Sequence, residues 1–458
     1  MRNYYRKYLF LALVAWSVLA ILATPLAVRA GEAEGGPPPA LSLQSALGRV
    51  EKRSAELEEL RKKMQSAHLE LQNVAPKYLP KLAAAAQYRL DNGENVGYDY
   101  GRVIPMLTAS YDFLDTDSDL YKRRWMAMKE YFQAEEALIG ARERLYLETA
   151  VKYFSLLLSR GQSDLAIQLR QQSQSENTKA EIEFGEGRIP QVELLKVQTA
   201  AARGALEALK RSHELEVAEM ELAGLLDLPA AIAVAEPEGE VALYRVDSDR
   251  LKKFVAEHNG QLRLMNEVAE QVPEFRRLAD RLRWPSVKLE TYLGEQDNNY
   301  AGPGANDYGV RLTVSKDIFD NGNGRRRREK MILDISALES AVRGRRQTFF
   351  DKLEVLRRKF DQAGEEISQA EKQLELAREL TRLFAKSYDL GVASLAELQK
   401  NRDQLRANEY EYLQARTRYR ECEFALKVHA GVDSPEELAR SGAAWLAGTP
   451  QEVSKENK

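Results

Sequence analysis

A shift of about 205 residues lays the chain on itself. Leu57 falls on Leu262, Pro80 on Pro285, and Leu107-Thr108-Ala109-Ser110 on Leu312-Thr313-Val314-Ser315. The same shift carries Asp112-Phe113-Leu114-Asp115 onto Asp317-Ile318-Phe319-Asp320, and one residue of slippage puts Gly187 on Gly391 and Glu193-Leu194 on Glu397-Leu398. A match held over so long a stretch marks a duplicated unit, and a fold must accept that unit twice. The first unit spans residues 31–230 and the second 248–432. Residues 231–247, rich in Ala, Pro, Gly and Glu, read as a linker, and 433–458 as a C-terminal tail.

Within each unit the expected order is helix, two strands, very long helix, turn, helix. Leu41 to about Val74 and Ser248 to about Arg283 are the opening helices, each ending at prolines (Pro76 and Pro80; Pro285). Strand pairs follow at 81–113 and 286–318. In the second pair Val287, Leu289 and Leu293 alternate with Lys288, Glu290 and Tyr292, and Val310, Leu312 and Val314 with Arg311 and Thr313. Period-two alternation suits a strand with one face on lipid or core and the other on water. The first pair is weaker, because Ala83–Ala86 is bland and Pro105 lacks a ladder donor.

The second long helix carries the clearest periodicity. Met331, Ile335, Leu338, Val342, Phe349, Leu353, Leu356, Phe360, Ile367, Leu374, Phe384 and Tyr388 follow one another in steps, or multiples of steps, of three and four. From Arg325 the rod would run roughly 95 Å at ~1.5 Å per residue. Such a stripe cannot be buried within a compact globule and must lie along other long helices.

Composition narrows the class. One cysteine excludes a disulfide framework, and the four histidines (His68, His213, His258, His429) share no metal-ligand spacing. No nucleophile–base constellation appears, so neither enzyme chemistry nor a cofactor is expected. Gly322-x-Gly324 is followed by Arg rather than Lys-Ser/Thr and reads as a swivel between strand and helix, not a phosphate loop. A mean hydropathy of −0.48 argues against a bundle of membrane helices but not against a β-barrel, whose strands leave a weak signal.

Arg2, Arg6 and Lys7 precede an apolar run from Tyr8 to Thr24 and then Val28-Arg29-Ala30, which reads as a signal peptide over residues 1–30. Its retention as an anchor is the alternative, and would suit an adaptor. Removing it takes out four basic residues and no acidic one, so the mature chain is more acidic than the net −3 of the full sequence. An exported acidic chain is not expected to bind nucleic acid. The Arg325–Arg328 run reads instead as a collar near phosphate head groups.

Leu41–Leu60 (LSLQSALGRVEKRSAELEEL), Leu312–Arg327 (LTVSKDIFDNGNGRRR), Ser387–Leu405 (SYDLGVASLAELQKNRDQL) and Glu183–Ala200 (EFGEGRIPQVELLKVQTA) resemble, in order, the opening helix, the strand-to-helix segment and the two tip turns of the TolC-type outer-membrane efflux proteins. The resemblance implies a mainly α chain with a β-barrel part. It would form a homotrimer whose four strands per chain complete one twelve-stranded outer-membrane barrel, above a periplasmic helical tunnel. It implies a passive exit channel of a tripartite efflux or type I secretion system, with a periplasmic adaptor, an inner-membrane pump and outer-membrane lipid as partners. Val287, Leu289, Leu293, Val310, Leu312 and Val314 would face lipid. Gly187, Arg188, Ile189, Pro190, Gly391, Val392, Ala393 and Ser394 would meet the adaptor. Glu397, Lys400, Glu193 and Lys196 would line the pore constriction, with Lys400 standing where the family has a second acid. As ordinary surface chemistry, each Glu/Lys pair would form an i,i+3 ion pair. The alternative class is a periplasmic scaffolding coiled coil without a channel.

Overall fold

The computed structural model describes residues 40–74, 81–92, 99–114, 118–229, 232–236, 243–281, 283–295, 306–316, 318–390, 392–442 and 445–446. The leader reading at 1–30 lies outside them. The elements, in chain order, are α1 (Leu43–Arg53), α2 (Ala55–Val74), β1 (Lys81–Asn92), β2 (Asp99–Leu114), α3 (Ser118–Gly185) and α4 (Gln191–Leu226). They continue with α5 (Ser248–His258), α6 (Gly260–Arg281), β3 (Ser286–Glu295), β4 (Asn306–Ser315), α7 (Asn323–Asp389), α8 (Leu395–Ala430) and α9 (Pro435–Ala439). Among the described residues no helix is long and apolar enough to cross a membrane.

Each opening helix, expected to be continuous, is two helices. The breaks fall at Ser54 and Asn259, which the 205-residue shift superposes. Leu57 N–H donates to Ser54 Oγ at 3.3 Å, and Leu262 N–H donates to Asn259 Oδ1 at 2.8 Å. A side-chain acceptor three residues upstream caps a new helix and lets the chain turn. Asn259 is buried, and its amide also donates to the His429 carbonyl at 3.0 Å. Gly431 ends α8 beside it with φ +96°, and a Cβ there would stand 2.6 Å from Asn259 Cα. Only glycine meets both demands.

The long helices hold 68 residues (α3) and 67 (α7), about 100 Å each at ~1.5 Å per residue. In their first halves α2 packs on α3, α3 on α6 and α6 on α7; in their second halves α4 packs on α3, α3 on α8 and α8 on α7. The lower row therefore reads α4–α3–α8–α7. Met331, Ile335, Phe349, Leu353, Phe360, Ile367 and Leu374 are all buried, as the three-and-four spacing requires. Two core clusters hold the rods. One joins α3, α6 and α7 through Met128, Val268, Phe275 and Ile335. The larger girdles the middle, where Tyr153, Phe154, Phe360, Tyr419 and Phe424 meet α1, α5, the linker and the chain's last described residues.

Residues 433–442 and 445–446, read from sequence as a tail, are part of that girdle. Lys427 and Glu423 form an ion pair at 2.9 Å, with side chains 2% and 5% exposed. Glu423 also accepts from Tyr244 Oη at 3.0 Å and Gly442 N–H at 2.9 Å. Trp445 Nε1–H donates to Tyr244 Oη at 3.1 Å, and Lys427 reaches the Arg440 carbonyl. The pair thus takes further hydrogen bonds from both linker and tail, which helps a buried charge pair to be tolerated.

The four strands form one antiparallel sheet in the order β1-β2-β3-β4. Pro105 pairs with Ala86 one residue beyond the last β2–β3 pair, Met106 with Gly294, so β2 is an edge there on its β3 side and tolerates a missing donor.

Candidate functional site

The strand register divides the sheet into two chemically distinct faces. Val287 lies opposite Val314, Leu289 opposite Leu312, Thr291 opposite Val310 and Leu293 opposite Tyr308. Across β2 the same face continues through Tyr111, Ala109 and Leu107, and across β1 through Leu82 and Ala84. All six strand residues assigned from sequence to lipid therefore share one face. Val310 is 73% exposed and Leu312 62%, so nothing among the described residues covers it. The other face carries Lys288, Glu290, Arg311 and Thr313. Lys288 pairs with Glu290, and the Arg311 guanidinium lies 5.9 Å from the Tyr292 ring centroid. Both outer strands leave an open edge.

At the far end of the rods the two helical turns differ. In the first, Gly187 adopts φ +74° and its N–H donates to the Phe184 carbonyl at 2.9 Å, while Arg188 N–H reaches the Glu183 carbonyl at 2.8 Å. Arg188 pairs with Glu186 at 3.0 Å. Ile189 follows, and Pro190 starts α4 without a side-chain cap. In the second, Val392 and Ala393 N–H groups donate to the Ser387 carbonyl, and Ser394 starts α8 with a full capping box. Glu397 N–H donates to Ser394 Oγ at 3.3 Å, and the Glu397 carboxylate accepts from Ser394 N–H and Oγ, each at 2.9 Å. The Ser394 backbone N–H, then its hydroxyl, holds that carboxyl below the usual glutamate range. Gly391 lies outside the described residues.

The sequence reading of i,i+3 pairs is corrected here: among the described residues no ion pair joins Glu397 to Lys400 or Glu193 to Lys196. Capping takes the Glu397 carboxylate, and the S-x-x-E spacing from Ser394 was its legible signal. Within one chain the four assigned residues do not converge. Lys196 alone lines a groove of about 920 Å³ between the two hairpins, with Arg203, Arg406, Glu207 and Asp403. Across that groove Arg402 of α8 pairs with Glu176 of α3.

The sequence reading also missed a second set of stripes. On α4, Val192, Leu195, Leu206, Leu209, Val217 and Met220 are exposed; on α7, Leu376, Leu380 and Leu383. These two helices are the outer members of the lower row. The signal was available, since both sets keep three-and-four spacing beside the buried stripe. Among the described residues no group of His, Cys, Asp and Glu could hold a metal ion. Cys422 is half-buried, and burial pushes its thiol pKa up.

An antiparallel sheet with one bare apolar face, set on paired helical rods, is the architecture of outer membrane channels. Residues 267–432 match the family described as outer membrane efflux protein. Among curated proteins no sequence relative is found. The fold is similar to the CmeC outer membrane channel of Campylobacter jejuni (14% identity, 87% of this chain and 89% of that chain, TM-score 0.65). It is also similar to the outer membrane protein VceC of Vibrio cholerae (14%, 86% and 96%, TM-score 0.64) and to the open state of the Neisseria gonorrhoeae MtrE outer membrane channel (15%, 87% and 89%, TM-score 0.62). Residues 267–432 thus carry the sequence pattern of the outer membrane efflux protein family, and nearly the whole chain has the fold of these outer membrane channels.

Proposed function

We propose that this chain is one subunit of a homotrimeric, passive exit duct in the outer membrane. The observation that carries the reading is that the two outer helices of the lower row, α4 and α7, both carry uncovered apolar stripes. They are different helices, so one copy's α4 meets the next copy's α7. A head-to-tail contact of this kind closes a ring or runs on as a filament. The sheet has the same need: its open edges cannot sit in lipid unless copies close them. The family resemblance supplies the number three and the twelve-stranded barrel.

On this reading the duplicated units, 31–230 and 248–432, are successive segments of the wall rather than separate domains. Val287, Leu289, Leu293, Val310, Leu312 and Val314 face lipid, where a charge would cost ~2–4 kcal/mol at the midplane. The turns at 187–190 and 391–394 receive a periplasmic adaptor, and an inner-membrane pump supplies the energy. Glu193, Lys196, Glu397 and Lys400 come together only in the ring, as stacked acidic and basic positions near the tip. Efflux of small molecules and type I protein secretion both use such a duct.

Membrane fractionation followed by an unboiled detergent gel tests the reading. A band near three times the mature mass in the outer-membrane fraction, lost in a Leu206→Ser/Leu380→Ser variant that keeps its helical content, is the expected result. A monomer released without detergent overturns it in favour of a periplasmic scaffold.

A further inference from the structure

Resting on the duct reading, we propose that the junction between sheet and rods binds anionic phospholipid of the inner leaflet, through arginines that grip its phosphate. Ser286 opens β3 and Ser315 closes β4, and the two are paired, so both connectors leave the same end of the sheet. Lys316 Nζ donates to the Arg283 carbonyl at 2.7 Å and ties the connectors together. Around that tie Trp284 is 64% exposed, Phe319 88% and Ile318 fully. The apolar sheet face ends here. Exposed aromatics beside basic side chains, where an apolar band stops, are the composition of a membrane–water interface.

The helix that follows breaks a local rule. Arg325–Arg328 occupy the start of α7, and its first turn holds no acidic residue. Four guanidinium groups at the positive end of a macrodipole are disfavoured unless anions offset them. The chain supplies part of the offset. Asp320 accepts from Gly322 N–H at 2.9 Å and from Gly324 N–H, and Arg328 pairs with Asp280 at 2.7 Å. Arg326 is occupied by the Asn321 carbonyl and Asn323 Oδ1. The Arg325 side chain has no carboxylate within ion-pair reach among the described residues, and Arg283 and Arg327 are exposed alongside it. The first unit repeats the pattern, with Lys122 and Arg123 on the positions that the shift superposes on Arg327 and Arg328. A ring of copies turns these clusters into a basic collar at one height.

The occupant follows from charge and level. An interfacial cationic cluster draws anionic head groups, and guanidinium forks suit phosphate. The collar lies at the rod side of the sheet, which is the inner-leaflet side on the duct reading.

Spin-labelled phosphatidylglycerol and spin-labelled phosphatidylcholine, each bound to the purified trimer in phosphatidylcholine bilayers at low salt, give the relative association. Wild type should prefer phosphatidylglycerol by about five-fold, the scale of one basic residue at an anionic surface. Arg283→Gln/Arg325→Gln/Arg327→Gln should bring the ratio near parity with the trimer band intact. Arg325→Gln alone, which removes no described contact, should give an intermediate ratio. Arg343→Gln/Arg346→Gln, farther along the same helix, should leave it unchanged.

Parity in wild type, or a triple variant that keeps the preference, overturns the proposal. So does loss of the preference to millimolar inorganic phosphate at matched ionic strength, which would mark a site for free anion. A chain that never enters the bilayer overturns the duct reading instead, and this proposal with it.

Discussion

The girdle and the lower hairpins are made of the same two long helices, yet they spend their apolar side chains differently. At the girdle α3, α7 and α8 turn large aromatics inward: Tyr153, Phe360, Tyr419 and Phe424 are all nearly inaccessible. Below it the outer helices α4 and α7 each bury a stripe against one neighbour, while their Leu206, Leu209, Leu376 and Leu383 face outward. The girdle is complete in one chain. The hairpins leave apolar stripes uncovered among the described residues, and on the proposed reading another copy covers them. Stability of the subunit and assembly of the wall are therefore separable properties, which mutations can pull apart.

The largest effect is expected at the girdle's ion pair. Lys427→Met removes the cation and leaves Glu423 buried among Tyr244, Gly442 N–H and Trp445. An uncompensated buried charge costs about 3–5 kcal/mol. Chemical denaturation should show a loss of that size, with linker and tail released together. A Glu423→Gln/Lys427→Met double variant should lose less than the single, because no charge is stranded. Equal losses would mean that the hydrogen bonds, rather than the charge, hold the girdle.

A smaller effect comes from pH. His429 is buried against the Phe349 ring, centroids 4.5 Å apart, and burial first, then Lys352, holds its pKa down to about 4. The unfolded chain binds that proton from ~6.5 downward. Stability from the neutral ring is therefore whole above about 6.5 and is lost as pH falls toward about 4, by about 2 kcal/mol between pH 7 and pH 5. Glu143 acts in the opposite sense. Burial raises its pKa to about 7 against the pull of Lys352 and Arg142, so its contribution is lost as pH rises from the unfolded value toward 7. The two partly cancel. His429→Gln should leave a stability that falls with pH, and Glu143→Gln one that rises; parallel profiles would refute both assignments.

How much of this could be read from sequence follows the same division. The stripe from Met331 to Leu374 was legible because one chain buries it, and period reports burial. The strand faces were legible although the apolar one is left exposed, since alternation needs no partner to be seen. The capped breaks at Ser54 and Asn259 were not, because two or three cap atoms leave no period, and an Asn or Ser amid apolar spacing looks tolerated. The burial of the Glu423–Lys427 pair was not legible either, because it depends on Tyr244 and Trp445, distant in sequence. Glu397 illustrates the limit at the tip. Its alignment with Glu193 drew attention to charge, while the nearer signal, Ser394 three residues before it, set what the carboxylate does.

The smallest effect is also the one that decides between those two roles. Ser394→Ala removes one half of the capping box, whereas Glu397→Gln removes the charge but keeps an amide oxygen that can accept from Ser394 N–H. As a cap alone, Ser394→Ala should cost the first turn of α8 about 0.5–2 kcal/mol and speed amide exchange there, while Glu397→Gln should change that exchange much less. The first tip, which starts at Pro190 without a side-chain cap, sets the baseline for an uncapped turn. If the carboxylate also lines the constriction of a ring, the variants part company in single-channel recordings. Glu397→Gln then lowers the preference for cations and Lys400→Gln raises it, while Ser394→Ala leaves ion preference alone. Should Glu397→Gln and Lys400→Gln both conduct as wild type does, the carboxylate is a cap and nothing more.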